Sequence, residues 1–119
     1  MRILIVDDAA VERAVFASIA QRLGHEMVGE ADDAATALQL AAQIAPDLIV
    51  VDGRLPSLEA ETFGALGAAA PGAAVAVVVA FGERDVMRTA FERGARTVLR
   101  RPFLPTQVEA ALRDIGPSS

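Results

Sequence analysis

Residues 47–56 read Asp47-Leu48-Ile49-Val50-Val51-Asp52-Gly53-Arg54-Leu55-Pro56. An uninterrupted apolar run that stops at an acid and a glycine is the pattern of a strand covered on both faces and running out into a loop. The same pattern stands at Ile3-Leu4-Ile5-Val6 before Asp7-Asp8, and at Val75-Ala76-Val77-Val78-Val79 before Ala80-Phe81. Two weaker segments join them, so strands are expected at Arg2 to Val6, Glu26 to Ala31, Asp47 to Val51, Val75 to Ala80 and Arg96 to Arg100. Their starts lie roughly 20–30 residues apart, the length of a strand, a crossover helix and two short loops. The pattern predicts a (βα)5 chain of the α/β class, a three-layer, doubly wound parallel sheet with the continuously apolar first, third and fourth strands in its middle.

The intervening stretches carry helical spacing and end signals. A first helix from Ala10 to Leu23 is expected to bury Val11, Ala14, Val15, Ile19 and Leu23, to point Arg13 and Arg22 outward, and to end at Gly24. A second follows the N-cap pair Asp32-Asp33, aligns Ala37, Leu40, Ala41 and Ile44, and stops before Pro46. The third follows Pro56-Ser57 and is thinly packed through Leu66 and Ala70. The fourth spans Glu83 to Arg93 with Val86, Met87 and Ala90 inward and ends at Gly94. The fifth starts at Pro105 and aligns Val108, Leu112 and Ile115.

Composition bounds the function. A chain of 119 residues, 53% hydrophobic and 23% charged, fits one folded domain. Its net charge of -5 disfavours direct binding to nucleic acid or to an anionic membrane. Without cysteine it has neither disulfides nor thiolate metal sites, which agrees with a reducing cytoplasm and also fits many extracytoplasmic proteins; a cytoplasmic protein is the expectation. The apolar run of residues 3–6 is too short for a membrane span. All 11 basic residues are arginine, so arginine at any one position partly reflects composition.

In an open parallel sheet the functional crevice lies beyond the carboxyl ends of the strands. Those ends present Asp7 and Asp8, Asp52, Ala80 and Phe81, and Arg101-Pro102. Asp-Asp alone is a helix N-cap signal, and Asp52 alone is ordinary turn chemistry. Together, acids after two strands and a cation after the last mark a site. Three crowded carboxylates raise one another's pKa unless a cation neutralises them, and an all-oxygen set suits a hard cation such as Mg²⁺. His25, the single histidine, opens the second strand as a surface residue. No G-x-G-x-x-G or P-loop motif follows the first strand.

These motifs, Asp7-Asp8, Asp52 with Gly53-Arg54-Leu55-Pro56, Gly94-Ala95 and Arg101-Pro102-Phe103, resemble the receiver domain of bacterial two-component response regulators over essentially the whole chain. The resemblance implies a flavodoxin-like sheet of strand order 2-1-3-4-5, with residues 1–116 as the receiver domain and 117–119 as a short tail. It implies that Asp52 accepts a phosphoryl group from a sensor histidine kinase or histidine phosphotransfer protein. Mg²⁺ would be held by Asp7, Asp8, Asp52 and the Arg54 backbone carbonyl, and Arg101 with the Ala80 amide would bind the phosphoryl oxygens. A cis bond before Pro102 is implied as well.

Three positions depart from the family. Arg101 stands where a lysine is usual, and its longer planar fork is not an equivalent of an ammonium. Val79 replaces the usual Ser or Thr, and Val98 the switch aromatic, so the hydroxyl-and-aromatic relay is missing. Phe81 is placed to fold over the site or to lie in the loop, and Arg54 is expected to be solvated. The leading expectation is a phosphoacceptor, not an enzyme in its own right, that signals through its fourth-helix, fifth-strand and fifth-helix face, where Arg84, Arg88 and Arg93 suit an acidic partner or a second copy in a homodimer. The alternative is a pseudo-receiver, a binding module read without phosphorylation. A free-standing Mg²⁺ phosphohydrolase lacks an acid/base partner.

Overall fold

Because short, β-branched apolar runs suit strands covered on both faces, the apolar segments pair side by side as parallel strands, and the amphipathic stretches between them cover the two faces. The computed structural model describes residues 1–55 and 60–115. In chain order the elements are β1 (Arg2–Val6), α1 (Ala10–Arg22), β2 (Glu26–Ala31), α2 (Ala34–Ile44), β3 (Leu48–Asp52), α3 (Ala60–Ala69), β4 (Ala74–Val79), α4 (Arg84–Glu92), β5 (Thr97–Arg100) and α5 (Pro105–Ile115). Pro56-Ser57, expected to open α3, and residues 116–119 with the expected tail lie outside the described residues.

The sheet has the order β2-β1-β3-β4-β5, all parallel, with the three continuously apolar strands central as expected. Alternation along the strands divides the core. Leu4, Val6, Ile49, Val51, Val77 and Val79 pack toward α2, α3 and α4, while Ile3, Ile5, Leu48, Val50 and Val78 pack toward α1 and α5.

Local signals act where the sequence puts them. The Asp33 side chain accepts the Thr36 N–H at 2.7 Å and caps α2. Gly24 and Gly94 close α1 and α4 at φ +92° and +105°, a backbone region that costs a side-chain-bearing residue about 1 kcal/mol or more. Gly53 is required for a different reason. A Cβ there would lie 2.8 Å from Val86 Cγ1 and 2.9 Å from the Val78 carbonyl oxygen, so the loop after β3 runs against β4 because this residue has no side chain.

One helix face differs from the expectation. In α1 the buried residues are Phe16, Ile19 and Ala20, with Leu23 half-buried, whereas Val11, Ala14 and Val15 face solvent. The positions 16, 19, 20 and 23 form their own i, i+3, i+4, i+7 stripe. That stripe wins because it carries the largest apolar side chain, and Phe16 meets Phe103 edge to face at a centroid distance of 5.4 Å. Arg13 also departs from expectation. It bends back, donating to the Asp7 carbonyl at 2.6 Å and pairing with Glu30 at 3.0 Å.

Candidate functional site

Parallel pairing in register brings the strand ends to one rim. Asp52 is the last residue of β3, opposite Val78 of β4, and Asp7 follows β1 directly, its N–H bonded to the Ala31 carbonyl at 2.9 Å. Asp7 is completely buried and Asp52 nearly so, the two buried charged side chains among the described residues. Asp8 beside them is exposed. One carboxylate oxygen from each of Asp7, Asp8 and Asp52 lies within 4.8 Å of the others.

Burial of carboxylates at such spacing is costly, and the electrostatics record it. Desolvation pushes the Asp7 carboxyl up to about 6; the Ala9 N–H bonded to its Oδ1 opposes the rise, while the hydrogen bond that a protonated Asp7 can donate to Glu12, and the charges of Glu12 and Asp52, add to it. Asp7 Oδ2 is buried without a hydrogen-bond partner. An unsatisfied acceptor among crowded hard oxygen donors fits a small divalent cation, which would relieve both the desolvation and the mutual repulsion.

Asp52 is held on its other side by donors. The Arg54 N–H donates to Asp52 Oδ1 at 2.9 Å, and Arg101 Nη2 donates to the same oxygen. The Arg54 side chain is about half exposed, with Nε 3.7 Å from Asp52 Oδ1, in line with the solvated placement expected for it. Arg101 follows β5 directly, with a cis bond to Pro102 as the resemblance implies and its N–H on the Val79 carbonyl at 2.9 Å. It is 13% exposed, and Nε lies 2.8 Å from Glu12 Oε1. Burial works against its charge, but hydrogen bonds and charges from Glu12 and Asp52 outweigh that and raise its pKa further.

The β4 end is different in kind. Val79 is buried in the core, and Val98 is half-buried against the same cluster, so neither places a polar atom at the rim. The Ala80 N–H, expected to serve a phosphoryl oxygen, donates to Glu83 Oε1 at 2.6 Å. Phe81 is 92% exposed; it lies in the loop and does not fold over the site. On α4 and at its C-cap, Arg84, Arg88 and Arg93 are exposed, with Arg88 paired to Asp85 at 2.6 Å. Sequence reasoning passed over Glu12 and Glu83. Glu12 is the acid in the first turn of α1, a signal present in the sequence, but its partner is 89 residues away.

Comparison with known proteins agrees with this architecture. The family model described as response regulator receiver domain matches residues 3–113. The chain is 30% identical to the chemotaxis protein CheY of Thermotoga maritima over 97% of both chains, and 34% identical to the transcriptional regulatory protein PdtaR of Mycobacterium tuberculosis over 86% of this chain and half of that one. Among solved structures, the signal receiver domain of NarL from Mycobacterium tuberculosis superposes with a TM-score of 0.83 at 28% identity, covering 98% of this chain and 97% of that one.

Proposed function

From the premise that this chain belongs to the response regulator receiver domain family of two-component systems, we propose that it is a cytoplasmic phosphoacceptor modified on Asp52. The observation that carries this is the buried Asp52 carboxylate at the end of β3, within 4.8 Å of two further carboxylates and bonded to a buried arginine. Asp7, Asp8, Asp52 and the Arg54 carbonyl would hold Mg²⁺. Bound there, the cation supplies neutralising charge for the crowded acids and for the oxygens of the transferring group.

The chain's own residues do the rest. The Arg54 N–H fixes the Asp52 carboxylate. Asp52 is the nucleophile: one of its oxygens bonds to phosphorus while the bond from phosphorus to the donor breaks, and the donor keeps the electron pair. Arg101 carries compensating positive charge beside the acceptor, so catalysis is positioning and charge stabilisation with no side-chain base. The donor is a sensor histidine kinase or a histidine phosphotransfer protein. The reader is a protein that docks on the α4, β5 and α5 face, where Arg84, Arg88 and Arg93 are exposed.

Incubation with Mg²⁺ and acetyl phosphate, followed by rapid quench and intact-mass measurement, tests the reading. A gain of one phosphoryl group is expected, and none is expected without Mg²⁺ or in Asp52→Ala. A protein that stays unmodified favours the second reading, a pseudo-receiver bound by its partner in the unmodified state. Val79 and Val98, which leave no hydroxyl or aromatic relay, and the direct Arg101–Asp52 pair speak for it.

A further inference from the structure

Arg101 has three kinds of nitrogen, and the structure uses them unequally. Nε faces Glu12, at 2.8 Å from Oε1 and 3.1 Å from Oε2. Nη2 is bonded to Asp52 Oδ1. Nη1 is buried with no hydrogen-bond partner. A guanidinium is planar, so fixing Nε on one anion and Nη2 on another fixes the whole plane and the direction of Nη1.

Glu12 is an unfavourable neighbour for the site it borders. It is 18% exposed and adds its negative charge beside the buried Asp7, which is already crowded by Asp52. An acid in the first turn of a helix is favoured by the helix dipole, and an exposed position would gain that without the repulsion. What the inward position adds is the contact with Arg101.

We propose that Glu12 is the positioning residue for Arg101: by holding Nε it turns the Nη1–Nη2 edge of the guanidinium toward Asp52, where both nitrogens receive oxygens of the phosphoryl group. This role rests on the phosphoacceptor reading and deepens it. An unrestrained arginine side chain samples many rotamers and has to be ordered at each transfer; Glu12 orders it beforehand. The buried and unsatisfied Nη1 is then a donor held ready for an oxygen that arrives with the phosphoryl group.

Two measurements on the full chain test the role. The first is independent of phosphorylation: the Arg101 Nε–H signal in a ¹⁵N–¹H spectrum is slow to exchange in the unmodified protein, retained in Glu12→Gln, whose amide oxygen still accepts, and lost in Glu12→Ala. The second is a double-mutant cycle on the labelling rate with acetyl phosphate and Mg²⁺. Glu12→Ala slows labelling about tenfold and Glu12→Gln by no more than about threefold, whereas Glu12→Ala added to Arg101→Ala has no further effect. A fast-exchanging Nε–H in the unmodified protein overturns the positioning role. So does an equal loss from Glu12→Ala with and without Arg101, which would mean Glu12 acts on the acids directly. Labelling of Glu12→Ala at the unsubstituted rate overturns it while leaving the phosphoacceptor reading intact. Absence of label on the unsubstituted chain overturns both.

Discussion

The rim of the sheet has two halves that solve opposite problems. At the β1–β3 half, Asp7, Asp8 and Asp52 concentrate negative charge, and one acceptor oxygen of Asp7 is left buried and unsatisfied. At the β4–β5 half, most polar groups are already engaged: Arg101 lies between Glu12 and Asp52, though its Nη1 is unpaired, and the Ala80 amide is taken by Glu83. A cation would complete the first half; the second is held mostly by its own contacts, with Val79 and Val98 where a polar relay would need a hydroxyl and an aromatic ring. In the proposed phosphoacceptor, the cation would therefore sit on one side of Asp52 and Arg101 on the other.

The comparison is most sharply broken at Asp7. Asp7→Asn removes one of three crowded charges from the β1–β3 half without touching the β4–β5 half. Mg²⁺-dependent labelling by acetyl phosphate should fall by roughly 100-fold, at least the effect of losing an outer partner of a metal site. The same substitution should leave the Arg101 Nε–H signal protected, because Glu12 and Asp52 are unchanged. If labelling survives Asp7→Asn, the acids are not a cation site and the difference between the halves is only one of charge.

A pH titration of stability, with divalent ions removed by chelation, measures the strain in that half. The carboxyl of Asp7 ionises at about 6 in the folded chain and at 3.8 ordinarily, so between those values the folded state binds more protons than the unfolded state. Stability from this group is then highest below about pH 4 and falls as pH rises to about 6, by on the order of 3 kcal/mol, beyond which it is level. Urea midpoints across this range should show the decline, Asp7→Asn should flatten it, and Mg²⁺ should restore stability above pH 6 by mass action. A rise in stability between pH 4 and 6 attributable to Asp7 would reverse the assigned cause.

How far the sequence revealed each half follows from the range of the interactions. Asp7, Asp8 and Asp52 were legible because each sits at the end of an apolar strand, and strand ends share a rim in any parallel sheet. The Asp33 cap was legible because its partner, Thr36, is three residues away. The buried face of α1 was misread because alanines spread over both sides of that helix blur its stripe, and the decisive residue, Phe16, is fixed by Phe103 on a distant element. Glu12 and Glu83 escaped for the same reason in part. Glu12 is joined to a residue 89 positions on, and Glu83, though close to Ala80, acts through a main-chain amide that no side-chain motif announces.

The smallest expected effect tests whether the closed half can be reopened. Val79 is 3% exposed, and Val79→Thr changes its shape little while introducing a hydroxyl into an apolar cluster. In the unmodified protein that hydroxyl lacks a ready acceptor, so the urea midpoint should drop by an amount equivalent to about 1 kcal/mol. Once Asp52 carries a phosphoryl group, an oxygen arrives next to the end of β4, and the hydroxyl gains a partner. The penalty should then shrink in protein held in the labelled state by excess acetyl phosphate and Mg²⁺, and amide shifts along α4 should differ more between the two states than they do with valine. An equal penalty in both states would mean that Val79 is simply a core residue. The β4–β5 half would then respond to phosphorylation through Arg101 and the Ala80 amide, without any contribution from the side chain at position 79.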